Sequence, residues 1–390
     1  MEPVDIQYTK LRWCLTIAGL LLYVGDIGTD IGLAVRYFQK GDSVWAGLTL
    51  AFALAGLLVT QIFSYAWYED DRNDPVMSAV GKPTVSGLSK GRLAVLHLSG
   101  MGIFSRYYLL LKKGFKVLWT SPHSNAAAER NDADHCLFCM ATDLSMLKLF
   151  ETFLESVPQL LLQLYILLAH GGSSVLQYLS MAFSFFNIAW SLVDYRRCLR
   201  RSLPRIAAMP SGLPTAIYLL YKFCTITSHI LSYTLLLALS PYSSIGLTVL
   251  WLLGTTWTHV LQTDFCSSPK LEPLYRAVIG VILTFTFFNV KGQDAMVPMT
   301  IYYLFYFFVN VTAPLLLGLL KPEWQTDPFL LTVSGVIFGG SVLGLCFLVL
   351  YYGFLHPKET QRQADEVDGV DVVVKPTRAT RRRNNFLQPG

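Results

Sequence analysis

Hydrophobic residues along the chain fall into ten long runs that polar stretches separate. The runs are continuous and rich in leucine, and each contains 17 to 29 residues. An α-helix needs about 20 predominantly apolar residues to cross a bilayer. The pattern therefore predicts helices that enter a membrane at residues 13–36, 42–66, 93–111, 141–169, 175–195, 214–239, 245–262, 274–290, 298–320 and 329–353.

The same runs argue against a β-barrel. A barrel strand shows about 10 residues of alternating polarity, whereas these runs do not alternate. Only helices and closed barrels satisfy every backbone polar group in lipid. The composition agrees with this, because 53% of the residues are hydrophobic, only 15% are charged and the mean hydropathy is +0.44. We predict an all-α polytopic membrane protein.

The basic residues set the topology, because loops rich in Lys and Arg face the cytosol. The third run (93–111) contains His97 and Arg106, and the eighth (274–290) is short. If these two runs enter and leave on the same side, every basic cluster, including the arginine-rich stretch 196–205, lies in the cytosol. We therefore predict about eight transmembrane helices plus two re-entrant helices, with both termini cytosolic.

This arrangement divides the chain into similar halves, each with two spans, a re-entrant segment and two more spans. The predicted N-terminal membrane half covers residues 1–203, and the C-terminal half covers 204–353. Layouts of two related units are common in proteins that move material across membranes. Residues 354–390 are polar and charged and cannot bury a core of their own. We interpret them as a cytosolic regulatory tail.

Polar and charged residues interrupt three of the runs. An ionised side chain at mid-bilayer costs about 2.5–3.5 kcal/mol on insertion scales, so these residues are expected to face inward. They form either an ion network that only fixes helix packing, or a network that also lines a path for a polar or charged group. The residues are Asp26 and Asp30 in the first run, Lys148, Glu151, Glu155, Gln159 and Gln163 in the fourth, and Asp194 and Arg197 at the inner end of the fifth.

Spacing places these residues on common faces. Asp26 and Asp30 are four residues apart and share one side of a helix. At 100° per residue, the polar residues between 148 and 163 fall in one stripe of about a third of the circumference. Pro158 lies in the same run and removes the hydrogen bond to the carbonyl of Leu154, so we expect a kink beside Glu155.

No motif in the chain indicates catalysis. The stretch "HCLFC" (135–139) contains one Cys-x-x-Cys pair, but a zinc site needs about four ligands. Phosphate-binding glycine loops and nucleophile elbows are also missing from the sequence. We expect a protein that is not an enzyme, uses no cofactor or metal, and binds no nucleic acid.

The tail carries a protease motif, "DEVDG". Effector caspases cut after Asp, prefer Asp at the first position of the four that precede the cut, and tolerate a small residue after it. Asp365, Glu366, Val367, Asp368 and Gly369 meet these conditions in a segment whose composition predicts accessibility. We hypothesise that effector caspases cut this chain after Asp368.

Such a cut would release a basic peptide. Residues 369–390 contain five basic residues and one acidic residue, so their formal charge is +4. A basic segment tethered beneath a membrane can hold anionic lipid or acidic groups, and its removal would act as an irreversible switch. A weaker second site follows Asp371.

Four stretches resemble the XK-related proteins: "ATDLSMLKLFETFLESVPQLLLQLYILL" (141–168), "VDY" followed by Arg196 and Arg197, "FNVKGQ" (288–293) and "LVLYYGFLHP" (348–357). The resemblance implies a plasma-membrane phospholipid scramblase built from two related helical halves. Some members lose their tail to caspases in apoptotic cells and then expose phosphatidylserine, which marks the cell for engulfment. The family's intramembrane charges correspond to Asp26, Asp30, Lys148, Glu151, Glu155, Asp194 and Arg197.

Two other classes of function stay open from the residues alone. One is an ion channel or solute transporter that uses the intramembrane carboxylates as ion sites, and it would carry ions or solutes without moving lipid. The other is a scaffold whose charges are purely structural. The need for a partner subunit is open as well.

Overall fold

The computed structural model describes residues 7–73, 89–120, 127–170, 175–202, 209–290, 296–321 and 328–355, and all regular secondary structure within these ranges is helical. The predicted protease motif at 365–369, the basic peptide and the rest of residues 356–390 lie outside the described residues. The all-α prediction is confirmed.

Helices of the predicted N-terminal half follow the first five hydrophobic runs. They are α1 (Lys10–Gln39), α2 (Ser43–Asn73), α3 (Lys90–Leu98), α4 (Gly102–Phe115), α5 (Ala127–Glu151), α6 (Val157–His170) and α7 (Val175–Ser202). π-Helical turns follow α4 at Lys116–Thr120 and join α5 to α6 at Thr152–Ser156.

Helices of the predicted C-terminal half follow the other five runs. They are α8 (Leu213–Leu239), α9 (Ser243–Val260), α10 (Glu272–Phe285), α11 (Met296–Leu320) and α12 (Pro328–Leu350), which a π-helical turn extends at Tyr351–Leu355.

Five of these helices are long and apolar enough to cross a membrane, namely α1, α2, α8, α11 and α12. Their side chains also suit lipid, since many large apolar residues on them are exposed, for example Leu21, Leu58 and Leu304. The chain is therefore a multi-pass membrane protein. The count of eight spanning and two re-entrant helices stays a prediction.

The third hydrophobic run is broken into the short helices α3 and α4. Gly100 has a φ of 76° in the turn between them, a left-handed conformation that glycine adopts without strain. Gln61 on α2 donates to the Gly100 carbonyl at 3.0 Å and accepts from the Gly102 N–H at 3.1 Å. Irregular backbone at membrane depth needs such partners, so α2 stabilises the break.

The polar residues of this run are satisfied internally. His97 Nε2 lies 3.0 Å from Ser64 Oγ, and Arg106 Nε donates to the same oxygen at 2.9 Å. The Arg106 guanidinium also lies 4.1 Å from the ring centroid of Tyr68. Hydrogen bonds and the aromatic face therefore compensate the burial of a cation.

The eighth run forms α10, which ends at Phe285 and packs closely against α9. A Cβ atom built on Gly254 would lie 3.1 Å from the Gly280 carbonyl oxygen and 3.2 Å from its Cα atom. Two facing glycines let helix backbones approach each other, which is a common way to pack helices in membranes.

We predict that Gly280→Ala destabilises the protein by about 1–3 kcal/mol, because the new Cβ would lie 2.9 Å from the Thr255 backbone nitrogen and overpacked contacts cost about that much. Gly246→Ala on α9 is the matched control, since nothing lies within 4 Å of its Cβ position. The measurement is thermal unfolding in detergent micelles. Equal stability of the two variants would contradict the close contact of α9 and α10.

The largest hydrophobic core contains residues of both predicted halves. Phe153, beside α5, contacts Phe285 of α10 with ring centroids 6.5 Å apart, and Leu160 of α6 and Ile226 of α8 belong to the same cluster. The proposed division near residue 203 is not tested by this packing, and residues 203–208 lie outside the described ranges.

Candidate functional site

A cleft of about 350 Å³ opens in the predicted N-terminal half between α1, α4, α5 and α7. Its lining combines charged residues with apolar and aromatic side chains such as Leu22, Phe183 and Phe186. The charged residues of the lining are Arg12, Asp26, Lys148 and Asp194. The formal charges of these four lining residues cancel, so the lining itself is polar without an excess of either sign.

Arg12 and Asp194 join α1 to α7 at one end of the cleft. The Arg12 guanidinium is ion-paired with the Asp194 carboxylate, and Arg12 Nη2 donates to Asp194 Oδ2 at 3.2 Å. It also donates to Cys198 Sγ at 2.9 Å. A two-nitrogen contact of this kind fixes geometry as well as charge. Both side chains remain partly accessible, at 13% and 22% of their full exposure.

Lys148 of α5 and Asp26 of α1 lie further along the cleft. Lys148 Nζ donates to the buried Glu151 carboxylate and lies 4.4 Å from the ring centroid of Tyr23. Asp26 Oδ2 accepts a hydrogen bond of 3.4 Å from Ser156. A cation and a carboxylate are thus held near each other at the cleft surface.

Behind this surface, the carboxyl group of Asp30 lies beside Glu155 and Gln159, and all three side chains are buried. Glu155 is pressed against α2, since a Cβ atom on Gly56 would lie 2.6 Å from Glu155 Oε2. Within the described residues, Asp30 Oδ2 has no hydrogen-bond partner. The group therefore retains hydrogen-bonding capacity deep in the protein.

The backbone at Glu155 is a π-helical turn, Thr152–Ser156. The Val157 N–H bonds to the carbonyl of Thr152, five residues earlier, just before Pro158, which has no N–H to donate. π-Helical turns insert an extra residue into a helix and are frequent at functional sites. The turn rotates Glu155 and Gln159 relative to Lys148, so the regular stripe expected at 100° per residue does not continue through it.

The charged residues extend over much of a membrane's thickness. Arg12 and Asp26 are separated by 14 residues of α1, which corresponds to about 21 Å at 1.5 Å per residue. The hydrocarbon core of a bilayer is about 30 Å thick. The lining of the cleft therefore offers a polar contact near one membrane surface and others well inside the membrane.

The cleft brings together three of the residues singled out in the sequence, Asp26, Lys148 and Asp194. Glu151 is paired with Lys148. Arg197 is placed elsewhere, because its Nη2 donates to Ser211 Oγ at 3.4 Å. The partner of Asp194 is Arg12, which the sequence pattern does not single out as a site residue.

Lys222 was also missed. It is buried in α8, and its Nζ donates to Thr286 Oγ1 at 3.0 Å and to the Phe287 carbonyl at 2.9 Å. These groups lie directly after α10, so Lys222 joins α8 to the segment that follows α10. The sequence could have identified Lys222, because this residue, like Lys148, is a charged residue inside a hydrophobic run.

The described residues contain no group of three or more His, Cys, Asp or Glu side chains that could hold a metal ion. In the "HCLFC" stretch, His135 instead lies 3.1 Å from the Ser202 carbonyl oxygen and Cys139 Sγ lies 3.7 Å from His135 Nδ1.

Comparison with known proteins places this architecture in a family. The family model described as "XK-related protein" matches residues 14–357. XK-related protein 9 of Tetraodon nigroviridis is 55% identical over 383 residues, covering 98% of this chain and 100% of that protein. XK-related protein 8 of Pan troglodytes is 32% identical, covering 93% of this chain and 88% of that protein. The chain belongs to the XK-related family.

Proposed function

We propose that this protein is a phospholipid scramblase of the plasma membrane, switched on when effector caspases cut its tail after Asp368. In this proposal its substrates are phospholipids, including phosphatidylserine, which reaches the outer leaflet of apoptotic cells and marks them for engulfment. Both termini are cytosolic, in keeping with the distribution of basic residues.

The observation that carries the proposal is the cleft between α1 and α7. Two cations and two carboxylates alternate with apolar side chains along its lining. A phospholipid has the same combination of groups, with a charged headgroup attached to apolar chains. Lipid-facing charges would be costly, so a polar lining that opens beside apolar side chains favours an amphipathic substrate.

The mechanism follows from this lining. The headgroup moves along the charged and hydrogen-bonding side chains, while its acyl chains remain in the bilayer. Lys148 and Arg12 offer charge-assisted hydrogen bonds to a phosphate, and Asp26 and Asp194 offer them to an ammonium group. The movement runs down a concentration gradient, so it requires no ATP.

The tail supplies the switch in this proposal. Intact, it blocks the cytosolic end of the cleft, and its removal opens the route. The motif Asp365–Asp368 followed by Gly369 supports cleavage at this point, and the +4 charge of residues 369–390 supports an attachment near anionic lipid.

The test uses purified protein in vesicles that contain fluorescent phosphatidylcholine or phosphatidylserine, with an impermeant reagent that bleaches only the outer leaflet. We expect fluorescence loss to stop near half for uncut protein and to proceed well beyond half after an effector caspase is added. The change reflects lipids that exchange leaflets once the tail is removed.

Asp368→Ala is the matched variant and is expected to stay inactive with caspase present, with retention of the tail verified on a gel. Full lipid transfer by this variant would show that cleavage after Asp368 is not the switch. Complete cleavage of the unaltered protein without lipid transfer, but with ion or solute flux, would favour the channel or transporter interpretation.

A further inference from the structure

A second charged feature lies outside the cleft, just beyond its Arg12 end. It is made of four lysines and two aromatic residues from the start of α1, the end of α4 and the π-helical turn that follows α4. We call this surface the basic-aromatic patch. It consists of Lys10, Lys112, Lys113, Lys116, Phe115 and Trp119.

Aromatic contacts hold the patch together. Trp119 stacks on Phe115 with ring centroids 5.0 Å apart, and Lys10 Nζ lies 5.7 Å from the Trp119 centroid. Trp13 lies beneath them, where its ring centroid is 5.0 Å from that of Trp119 and its Nε1 donates to the Leu111 carbonyl at 3.0 Å. These contacts join the start of α1 to the end of α4 and the turn after it, and Lys112 and Lys116 are exposed on the same stretch of chain.

The patch is exposed and positively charged. Phe115 and Trp119 keep 50% and 41% of their full exposure, and Lys10, Lys112 and Lys116 are exposed as well. The stretches 7–23 and 102–120 contain no acidic residue. Lysines among exposed tryptophan and phenylalanine are typical of protein surfaces that lie at a membrane interface.

The patch is next to the cleft. Leu110 of α4 lines the cleft, and Lys116 follows it by six residues, which is about 9 Å along a helix. Arg12 also lines the cleft, and Lys10 is two residues before it. A lipid bound at the patch is therefore beside the Arg12 end of the cleft.

The geometry points to a loading site for anionic phospholipid headgroups of the cytosolic leaflet on the basic-aromatic patch. The loading role of this site rests on the proposed function, but the binding of anionic lipid to the patch does not. The cleft lining has as many carboxylates as cations and Lys148 is also paired with Glu151, so the cleft itself gives little preference for an anionic lipid. Each basic residue near an anionic membrane surface increases binding about fivefold, so the patch concentrates anionic lipids at the entrance.

Binding is measured on the uncut chain by quenching of tryptophan fluorescence with lipids that carry bromine on their acyl chains. The contribution of Trp119 is obtained by subtracting the signal of Trp119→Phe. At equal mole fraction, brominated phosphatidylserine is expected to quench Trp119 severalfold more than brominated phosphatidylcholine. The difference is expected to shrink as salt is added, because salt screens exposed charges.

In the triple variant Lys10→Gln/Lys112→Gln/Lys116→Gln, the two brominated lipids are expected to quench Trp119 equally. Its matched control is Arg36→Gln/Lys40→Gln, which removes two exposed basic residues at the other end of α1 and is expected to keep the preference. Equal quenching of the unaltered protein by both lipids, or a preference that survives in the triple variant, would overturn the inference.

A second measurement separates this inference from the proposed function. In cut protein, the triple variant is expected to lower phosphatidylserine transfer severalfold while phosphatidylcholine transfer stays within about twofold of the unaltered protein. If the unaltered protein binds brominated phosphatidylserine preferentially but transfers no lipid, the proposed function fails and the binding site stands. Equal losses for both lipids would refute the loading role.

Discussion

Lys148→Met is expected to lower the free energy of unfolding by about 3–5 kcal/mol, the usual cost of leaving one partner of a buried ion pair alone. Lys148 is the ion partner of Glu151, whose side chain is only 5% exposed. The substitution also removes the ammonium group that lies 4.4 Å from the Tyr23 ring. Unfolding in detergent by heat or denaturant measures the loss, and Lys40→Met at an exposed position is the control.

The double variant Lys148→Met/Glu151→Leu is expected to recover most of this stability, because replacing both ions with apolar residues removes the desolvation cost. On the proposed function it is still expected to transfer lipid at least tenfold more slowly after caspase cleavage. Stability and lipid transfer together decide whether the charged residues only fix helix packing or also line a path for a polar group. Normal stability with normal lipid transfer would mean that this ion pair serves packing alone.

Much of the architecture could be predicted because the bilayer imposes simple rules. Each hydrophobic run corresponds to one helix or to two joined helices, and runs three and eight, which were predicted to be re-entrant, form the short helices α3, α4 and α10. The break at Gly100 and its attachment to Gln61 could not be predicted, since no local pattern indicates which distant side chain satisfies an interrupted backbone.

Some residues of the cleft could be predicted from the sequence, because a charged side chain inside a hydrophobic run is too costly to expose to lipid. Asp26, Lys148 and Asp194 interrupt hydrophobic runs, and the cost of exposing them to lipid predicted that they face inward. Arg12 carried no such signal, because it lies near a helix start, where basic residues commonly set topology. Its pairing with Asp194, 182 positions away, depends on how α1 and α7 pack.

Arg197 shows the opposite case. It is three residues after Asp194 and was expected in the same network, but its guanidinium bonds to Ser211 instead. The π-helical turn at Thr152–Ser156 was similarly beyond the sequence pattern. Pro158 predicted a disturbed helix at this place, but the choice between a kink and a shift in hydrogen-bond register depends on the surrounding packing.

On the proposed function, changing the charge balance of the cleft is expected to change which lipids it transfers. Asp194→Asn removes one negative charge and should raise the ratio of phosphatidylserine to phosphatidylcholine transfer in cut protein, whereas Arg12→Gln should lower it. A unit charge about 7 Å from a headgroup contributes about 1–2 kcal/mol in a partly hydrated site, which is about five- to thirtyfold in the ratio. The measurement is the initial rate of transfer of each fluorescent lipid.

Two controls make this prediction specific to the cleft. The double variant Arg12→Gln/Asp194→Asn restores the balance of charge and is expected to return the ratio to within about twofold of the unaltered protein. Arg197→Gln removes a charge from the same helix outside the cleft lining, and it is expected to leave the ratio unchanged. Loss of protein stability alone would slow both lipids together in either single variant. Opposite shifts in the two single variants therefore indicate that the headgroup passes close to the Arg12–Asp194 pair, and shifts of the same sign would contradict that route.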